Sequence, residues 1–255
     1  MPSELERLQL QRIRDAFDTT EESIKATFAL LVDLRTDVVS RLANAAPGSS
    51  LVSMLTRLNS ELDDLRRDFE IHYAAILNEL KDQAWVQGLG LADTVRTVPG
   101  VVAELIGAGI GMGPIAADAL LAAKTITADQ VKNVSNLIKG RITAEIQRVA
   151  LTGGRPGDAI TEIRRLLELP TTPRLIRGPM RGASGIPFRA EAILRTEHGN
   201  LFNTANNEQL RRFSSLIPIR KKWHTNLDGR ERPSHHAMHN RMADEKGFFT
   251  LAGIK

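Results

Sequence analysis

The segment KKWHTNLDGRERPSHHAMH, residues 221–239, gathers four of the chain's six histidines among lysines, arginines and acids. Three chemistries are open to such a set. In the first, His235 and His239 stand four apart, so on a helix they share a face as paired zinc ligands do, with His236, His224, Asp228 or Glu231 as a third ligand. The H-E-x-x-H general base is missing, because His236, Ala237 and Met238 lie between the pair, and Pro233-Ser234 lets a helix begin only there. In the second, hydrolytic reading, Ser234 beside His235 is no triad and no G-x-S-x-G elbow occurs. Arg230 and Arg232 hold Asp228 and Glu231 ionised and therefore poor as proton donors. No nucleophile, base and orienting group can be assembled, so no catalytic residue is assigned and no enzymatic activity is expected.

The third chemistry uses charge directly. Arg211, Arg212, Arg220, Lys221, Lys222, Arg230 and Arg232 cluster around Trp223. Such cations neutralise phosphates or meet carboxylates of a protein partner. The indole either stacks on a base or anchors the fold, and its apolar bulk favours the anchor.

Charge distribution points the same way. Residues 171–255 carry 15 Lys and Arg against 7 Asp and Glu, whereas residues 1–170 carry 19 against 23. A basic final third on a mildly acidic body suggests an acidic partner for that third. With no cysteine, disulfides, thiolate metal sites and cysteine nucleophiles are excluded. The opening MPSELERLQLQRIRD is charged and has no apolar signal region, so no secretion route is expected.

The elements that must position these residues read as helices. Aromatic residues are only 4 % of a chain whose apolar content is largely Ala, Leu, Ile and Val, which favours packed helices over strands. Ser3-Glu4-Leu5-Glu6 forms a capping box. Ile13, Phe17, Thr20, Ile24, Phe28, Leu31, Val38 and Leu42 then make an amphipathic stripe, with a break possible near Asp18–Glu22. After the turn at Ala46–Ser50, a nearly heptad stripe runs Leu51, Leu55, Leu58, Leu62, Leu65, Phe69, Tyr73, Ile76 and Leu80, giving an antiparallel hairpin. His72 reads as a packing or boundary residue. Residues 98–123 are the most apolar stretch, but Glu104, Pro114 and Asp118 interrupt it; a buried helix–loop–helix is expected, with a membrane- or pore-active segment as the alternative. Val131, Val134, Leu137, Ile138, Ile142 and Ile146 line another helix, and Asp158 reads as the N-cap of a shorter one. Residues 170–188, with Arg174, Arg177 and Arg181, read as an arm or loop. Arg189–Arg212 is helical again.

Arg195-Thr196-Glu197, followed by Asn200 and Asn203, and then W-x-T-x-x-D-x-R-x-R-P-S-H-x-A-M from Trp223 to Met238, resemble the phage Mu F-like minor head protein family, also called phage head morphogenesis proteins. Trp223, Thr225, Asp228, Arg230, Arg232, Pro233, Ser234, His235 and Met238 sit at the family's spacing, and the strong likeness covers roughly residues 150–250. Ala84–Gly88 resembles the preceding helical region. The resemblance implies a virion protein of the head interior or portal vertex, met in the host cytoplasm during assembly. Its implied partners are the portal protein, other head proteins and packaged double-stranded DNA, in an oligomer or several copies per particle. It implies no cofactor and no catalysis. Two departures stand out: His239-Asn240 follows Met238, so a turn there needs Asn240 in a left-handed conformation, and the chain reaches Lys255 without the cysteines that often follow in the family.

The expected architecture is mainly α, with a long N-terminal helical hairpin at 1–85, an apolar helical region at 86–150 and a small basic α+β domain at 151–255. Arg211, Arg212, Arg220, Lys221, Lys222, Arg174, Arg177 and Arg181 are the expected contacts to DNA or a partner. Arg195, Glu197, Trp223, Asp228, Arg230, Arg232 and His235 are the expected structural motif, the last four as a polar network fixing a turn beneath Trp223. The expected function is portal-associated head assembly and contact with, or delivery of, packaged DNA. The alternatives are a zinc-binding hydrolase or nuclease on the histidine cluster, or a pore- or membrane-active ejected protein.

Overall fold

The computed structural model describes residues 3–44, 51–98, 100–101, 118–152, 156–167, 185–214, 217–223, 237–244 and 249. The described chain is mainly helical: α1 (Glu4–Ala43), α2 (Leu51–Asp93) with a 3-10 turn at Thr94–Thr97, α3 (Asp118–Thr125), α4 (Thr127–Leu151), α5 (Pro156–Leu166) and α6 (Ile186–Ser214). Among the described residues the only β pairing is an antiparallel bridge between Lys222 and Met242. No described helix is long and apolar enough to cross a membrane. Most of the apolar stretch at 98–123 and of the arm at 170–188 lies outside the described residues.

The capping box starts α1: the Ser3 hydroxyl accepts the Glu6 amide at 3.2 Å and the Glu6 carboxylate accepts the Ser3 amide at 2.8 Å. The helix then runs unbroken through Asp18–Glu22, so the break that the sequence permits there does not occur. Thr19, Thr20 and Ser23 turn their hydroxyls back onto carbonyls four residues earlier, so their polar groups are satisfied inside a continuous helix. The buried stripe is Ala16, Thr20, Ile24, Thr27, Leu31, Leu34, Val38 and Leu42, while Phe17 is 61 % exposed. Helix α5 likewise starts two residues before the expected cap. Pro156 takes its first position, where a missing amide costs nothing, and Asp158 falls within the first turn.

Helix α2 is the axis of the bundle. Thr19 meets Gln87 and Arg41 meets Glu61, so α1 runs antiparallel to it. Lys139 meets Asp63 and Thr127 meets Asn78, so α4 is antiparallel too. Helix α6 instead runs parallel, pairing Tyr73 with Ala190, Lys81 with Glu197 and Asp93 with Gln209. One apolar cluster draws on α1, α2, α4, α5 and α6 together, among them Leu31, Leu77, Ile142, Ile163 and Leu194, all fully buried. Helix α2 passes position 85 without interruption. There Ala84 and Trp85 pack with Ala16, Leu201, Phe202 and Ala205 in a second cluster. His72 lies exposed on α2, with Nδ1 2.8 Å from the Asp68 carbonyl oxygen.

At Gly88 the backbones of α2 and α6 come close: a Cβ there would run into the Phe202 carbonyl oxygen and lie 2.9 Å from Ala205 Cβ. Gly90, on the same helix, has open space. Glycine is unfavourable inside a helix by roughly 0.5–1 kcal/mol relative to alanine, so the two sites separate propensity from packing. Chemical denaturation is expected to show Gly90→Ala stabilising by about 0.5–1 kcal/mol. Gly88→Ala is expected to destabilise by about 1–3 kcal/mol through overpacking. Equal effects at both positions would contradict this helix contact.

Candidate functional site

The R-T-E stretch lies on α6, where it faces three other helices. Arg195 splits its guanidinium, with Nε donating to Glu191 at 2.7 Å and Nη2 to Glu21 of α1 at 2.8 Å. Glu197 points to α2 and α4: one carboxylate oxygen is 3.1 Å from Lys81 Nζ and the other accepts from Gln130 at 2.7 Å. Lys81 is completely buried, and its ammonium donates to the Ala123 carbonyl (2.7 Å), the Thr127 hydroxyl (2.9 Å) and the Gln130 side-chain oxygen (3.2 Å) as well. Thr127 in turn donates to Asn78. Burial lowers the Lys81 pKa, and the neighbouring Glu197 opposes that shift. The Tyr73 hydroxyl, donating to the Ala190 carbonyl, is pushed well up by burial and by the Glu197 charge. Lys81 carried its own signal in the sequence. It falls four residues after Leu77 and three before Ala84, a cation on the inward stripe of α2.

His198 follows directly. It stacks on Phe202 at 5.9 Å, its Nε2 lies 3.2 Å from the Gln87 side-chain oxygen, and Gln87 donates onward to Thr19. Asn200 and Asn203 are exposed.

Beyond α6, residues 221–223 and 240–243 pair. Trp223 donates its amide to the Arg241 carbonyl and accepts from the Asn240 amide, both at 2.8 Å, and Ala243 donates to the Lys221 carbonyl at 2.8 Å. Two residues thus oppose Trp223, which makes a β-bulge. Asn240 sits at φ +64°, the left-handed value the sequence requires of it, and the Arg241 amide closes the turn on the Met238 carbonyl at 2.9 Å. Asparagine tolerates this region better than most side chains. Met238 is buried, while Trp223 is half-buried and meets Phe249 edge-on at 5.3 Å. The two ends of the W-x-T…A-M motif are therefore adjacent. Asp228, Arg230, Arg232 and His235, with the polar network expected of them, lie outside the described residues, as do Arg174, Arg177 and Arg181.

Arg211, Arg220 and Lys221 are exposed and line a cavity of about 590 Å³ with Asn207, Glu208 and Asp244. Arg211 also reaches Glu208 at 3.4 Å, and Arg212 is half-buried. Lys222 is exposed but is held within the chain: its ammonium donates to Glu6 at 2.7 Å. That hydrogen bond, with the Ser3 amide, holds the Glu6 carboxyl down at about 2, so this tie persists from neutral pH and is lost only as pH falls through that value. Among the described residues no group of three or more His, Asp or Glu comes together to hold a metal; His224, His235 and His236 lie outside them.

No family model matches the chain, and neither the curated proteins nor the solved structures contain a match to it.

Burial lowers the His198 pKa below 6.5, so the folded state resists a proton that the unfolded chain accepts. Stability is therefore full above about pH 6.5 and declines below it, by at most about 1.4 kcal/mol per pH unit, until pH passes the folded value. His198→Gln keeps a neutral hydrogen-bonding group facing Gln87. Urea titrations between pH 8 and 5 are expected to show a shallower acid decline in this variant, and an unchanged slope would contradict a neutral buried imidazole.

Proposed function

We propose that this chain is a phage minor head protein that associates with the portal and head interior, acts in head assembly and contacts or delivers packaged double-stranded DNA. The observation that carries the reading is the ordered pair of motifs, Arg195-Thr196-Glu197 and Trp223–Met238, at the spacing of the Mu F-like head morphogenesis family. Its support is physical as well. Arg195 and Glu197 spend their charges on bundle contacts to Glu21 and Lys81, a framework role that leaves the outward cations to meet a partner. The bridge of Lys222 with Met242 belongs, in this proposal, to a small α+β domain at the C-terminal end. Arg211, Arg220 and Lys221 supply the contact surface.

The chemistry asked of that surface is charge neutralisation, with no catalytic step and no cofactor. Guanidinium and ammonium groups release counterions from a duplex, so binding weakens steeply with salt, the logarithmic slope being about −0.9 per phosphate neutralised. Against the portal protein or other head proteins, several copies would present the same cations to acidic surfaces.

Arg220→Gln/Lys221→Gln is the discriminating variant, because Lys222 already serves Glu6. In anisotropy titrations of a 30-base-pair duplex, the variant is expected to bind more weakly and to lose roughly two from the salt slope. Portal oligomers mixed with the chain are expected to retain the unaltered protein better than the variant. A chain that binds neither DNA at low salt nor portal oligomers contradicts the proposal.

A further inference from the structure

The basic third of the sequence is not the only cationic surface. Helix α5 lies against α1, and between them runs a groove of about 700 Å³ lined by Arg35, Thr36 and Ser40 of α1 and by Thr161, Arg164 and Arg165 of α5. Both helices turn the same kind of face to it. Arg35 and Thr36 lie one turn from Val39 and Ser40, and Thr161 lies one turn from Arg164 and Arg165. The acids of these helices fall elsewhere: Asp33 and Asp37 are exposed outside the groove lining, and Glu162 takes Arg165 Nε at 2.9 Å without lining it. Among the described residues, no carboxylate lines the groove, and Arg35 and Arg164 form no ion pair.

The groove's charged donors are its guanidinium groups. Thr36 donates to the Val32 carbonyl at 2.8 Å and Thr161 to the Gly157 carbonyl at 2.9 Å, so neither hydroxyl proton faces a ligand. An occupant must therefore bring both negative charge and acceptor oxygens. A protein surface would ordinarily add a buried apolar or aromatic anchor. Among the described residues, the only apolar one lining the groove is Val39, which is already partly buried against the core. A phosphodiester backbone needs no such anchor, and guanidinium forks match its oxygens.

We propose that the α1–α5 groove is a second nucleic-acid backbone site, separate from the cations around Trp223. Lys222 ties the C-terminal cations to Glu6, at the start of α1, whereas Arg35 stands far along the same unbroken helix. From position 6 to position 35 the axial rise is about 43 Å, at 1.5 Å per residue. That distance is about 13 base pairs of duplex at 3.4 Å each. A duplex of 8 base pairs reaches one site at a time, and one of 30 can reach both.

The test is Arg35→Gln/Arg164→Gln/Arg165→Gln in the full chain, with melting profiles to establish that the fold is kept. Anisotropy titrations with both duplexes, over a salt series, are compared with those of Arg220→Gln/Lys221→Gln. The triple variant is expected to bind the 30-base-pair duplex at least tenfold more weakly, with the salt slope reduced by roughly two to three. An Arg35→Lys/Arg164→Lys/Arg165→Lys variant, which keeps the charge, is expected to retain the slope. The 8-base-pair duplex is expected to keep binding when only the C-terminal cations are removed. Unchanged affinity and slope in the triple variant would overturn the proposal. So would loss of polyglutamate binding in that variant with DNA binding intact, which would make the occupant an acidic protein. Because each basic region has its own variant, failure of the groove and failure of the C-terminal surface give different patterns.

Discussion

An ammonium group taken wholly out of water needs compensation, and Lys81 obtains it from four oxygens on three other segments: the Ala123 carbonyl, Thr127, Gln130 and Glu197. A buried ion pair gains little net stability over apolar packing, since desolvation offsets the attraction. What it imposes is position. Sliding α6 along α2 by one turn would leave Lys81 and Glu197 both buried and apart, while a purely apolar seam would tolerate the shift. The same seam carries Tyr73 on the Ala190 carbonyl, Gln87 beside His198 and Asp93 beside Gln209, so polar pairs recur along its length. Gly88 then lets the two backbones come close enough for those pairs to form.

This arrangement explains why α6 places both outward and inward chemistry. Its buried face carries Glu191, Glu197, His198 and Gln209, each with a partner across or along the bundle. Its last turn carries Arg211 outward to the cavity shared with Arg220 and Lys221. The register of α6 thus decides where the C-terminal cations stand relative to the bundle, and the contact of Lys222 with Glu6 fastens them to the start of α1. The two proposed contact surfaces stand apart along α1: one at its beginning, the other toward its end.

Much of the framework was legible in residue spacing. The capping box at Ser3, the inward leucines of α2 and the stripe of Val131, Val134, Ile138, Ile142 and Ile146 all read directly as helix faces, and Asn240 signalled its own turn. Other features were not legible, for physical reasons. Thr19 has the residue type of a cap but satisfies its hydroxyl within the helix, so α1 continues. Phe17 fits the period yet faces outward, because the stripe is held by smaller Ala16 and Thr20. The net charge of the first 170 residues concealed a cationic groove, since local separation of Arg35, Arg164 and Arg165 from neighbouring acids is invisible to a sum. The partners of Glu197 lie 116 and 67 residues away on other helices, a separation that no spacing rule spans.

A double-mutant cycle in urea decides whether the Lys81–Glu197 contact keys α6 to α2. Lys81→Met alone is expected to cost about 3–5 kcal/mol, because Glu197 keeps its buried charge without the cation. Adding Glu197→Gln removes that charge, and the pair of changes is expected to cost less than the sum of the single ones by about 1.5–3 kcal/mol. Single-change costs that add within about 0.5 kcal/mol would contradict the account, since additivity at that level is the behaviour of residues that do not interact.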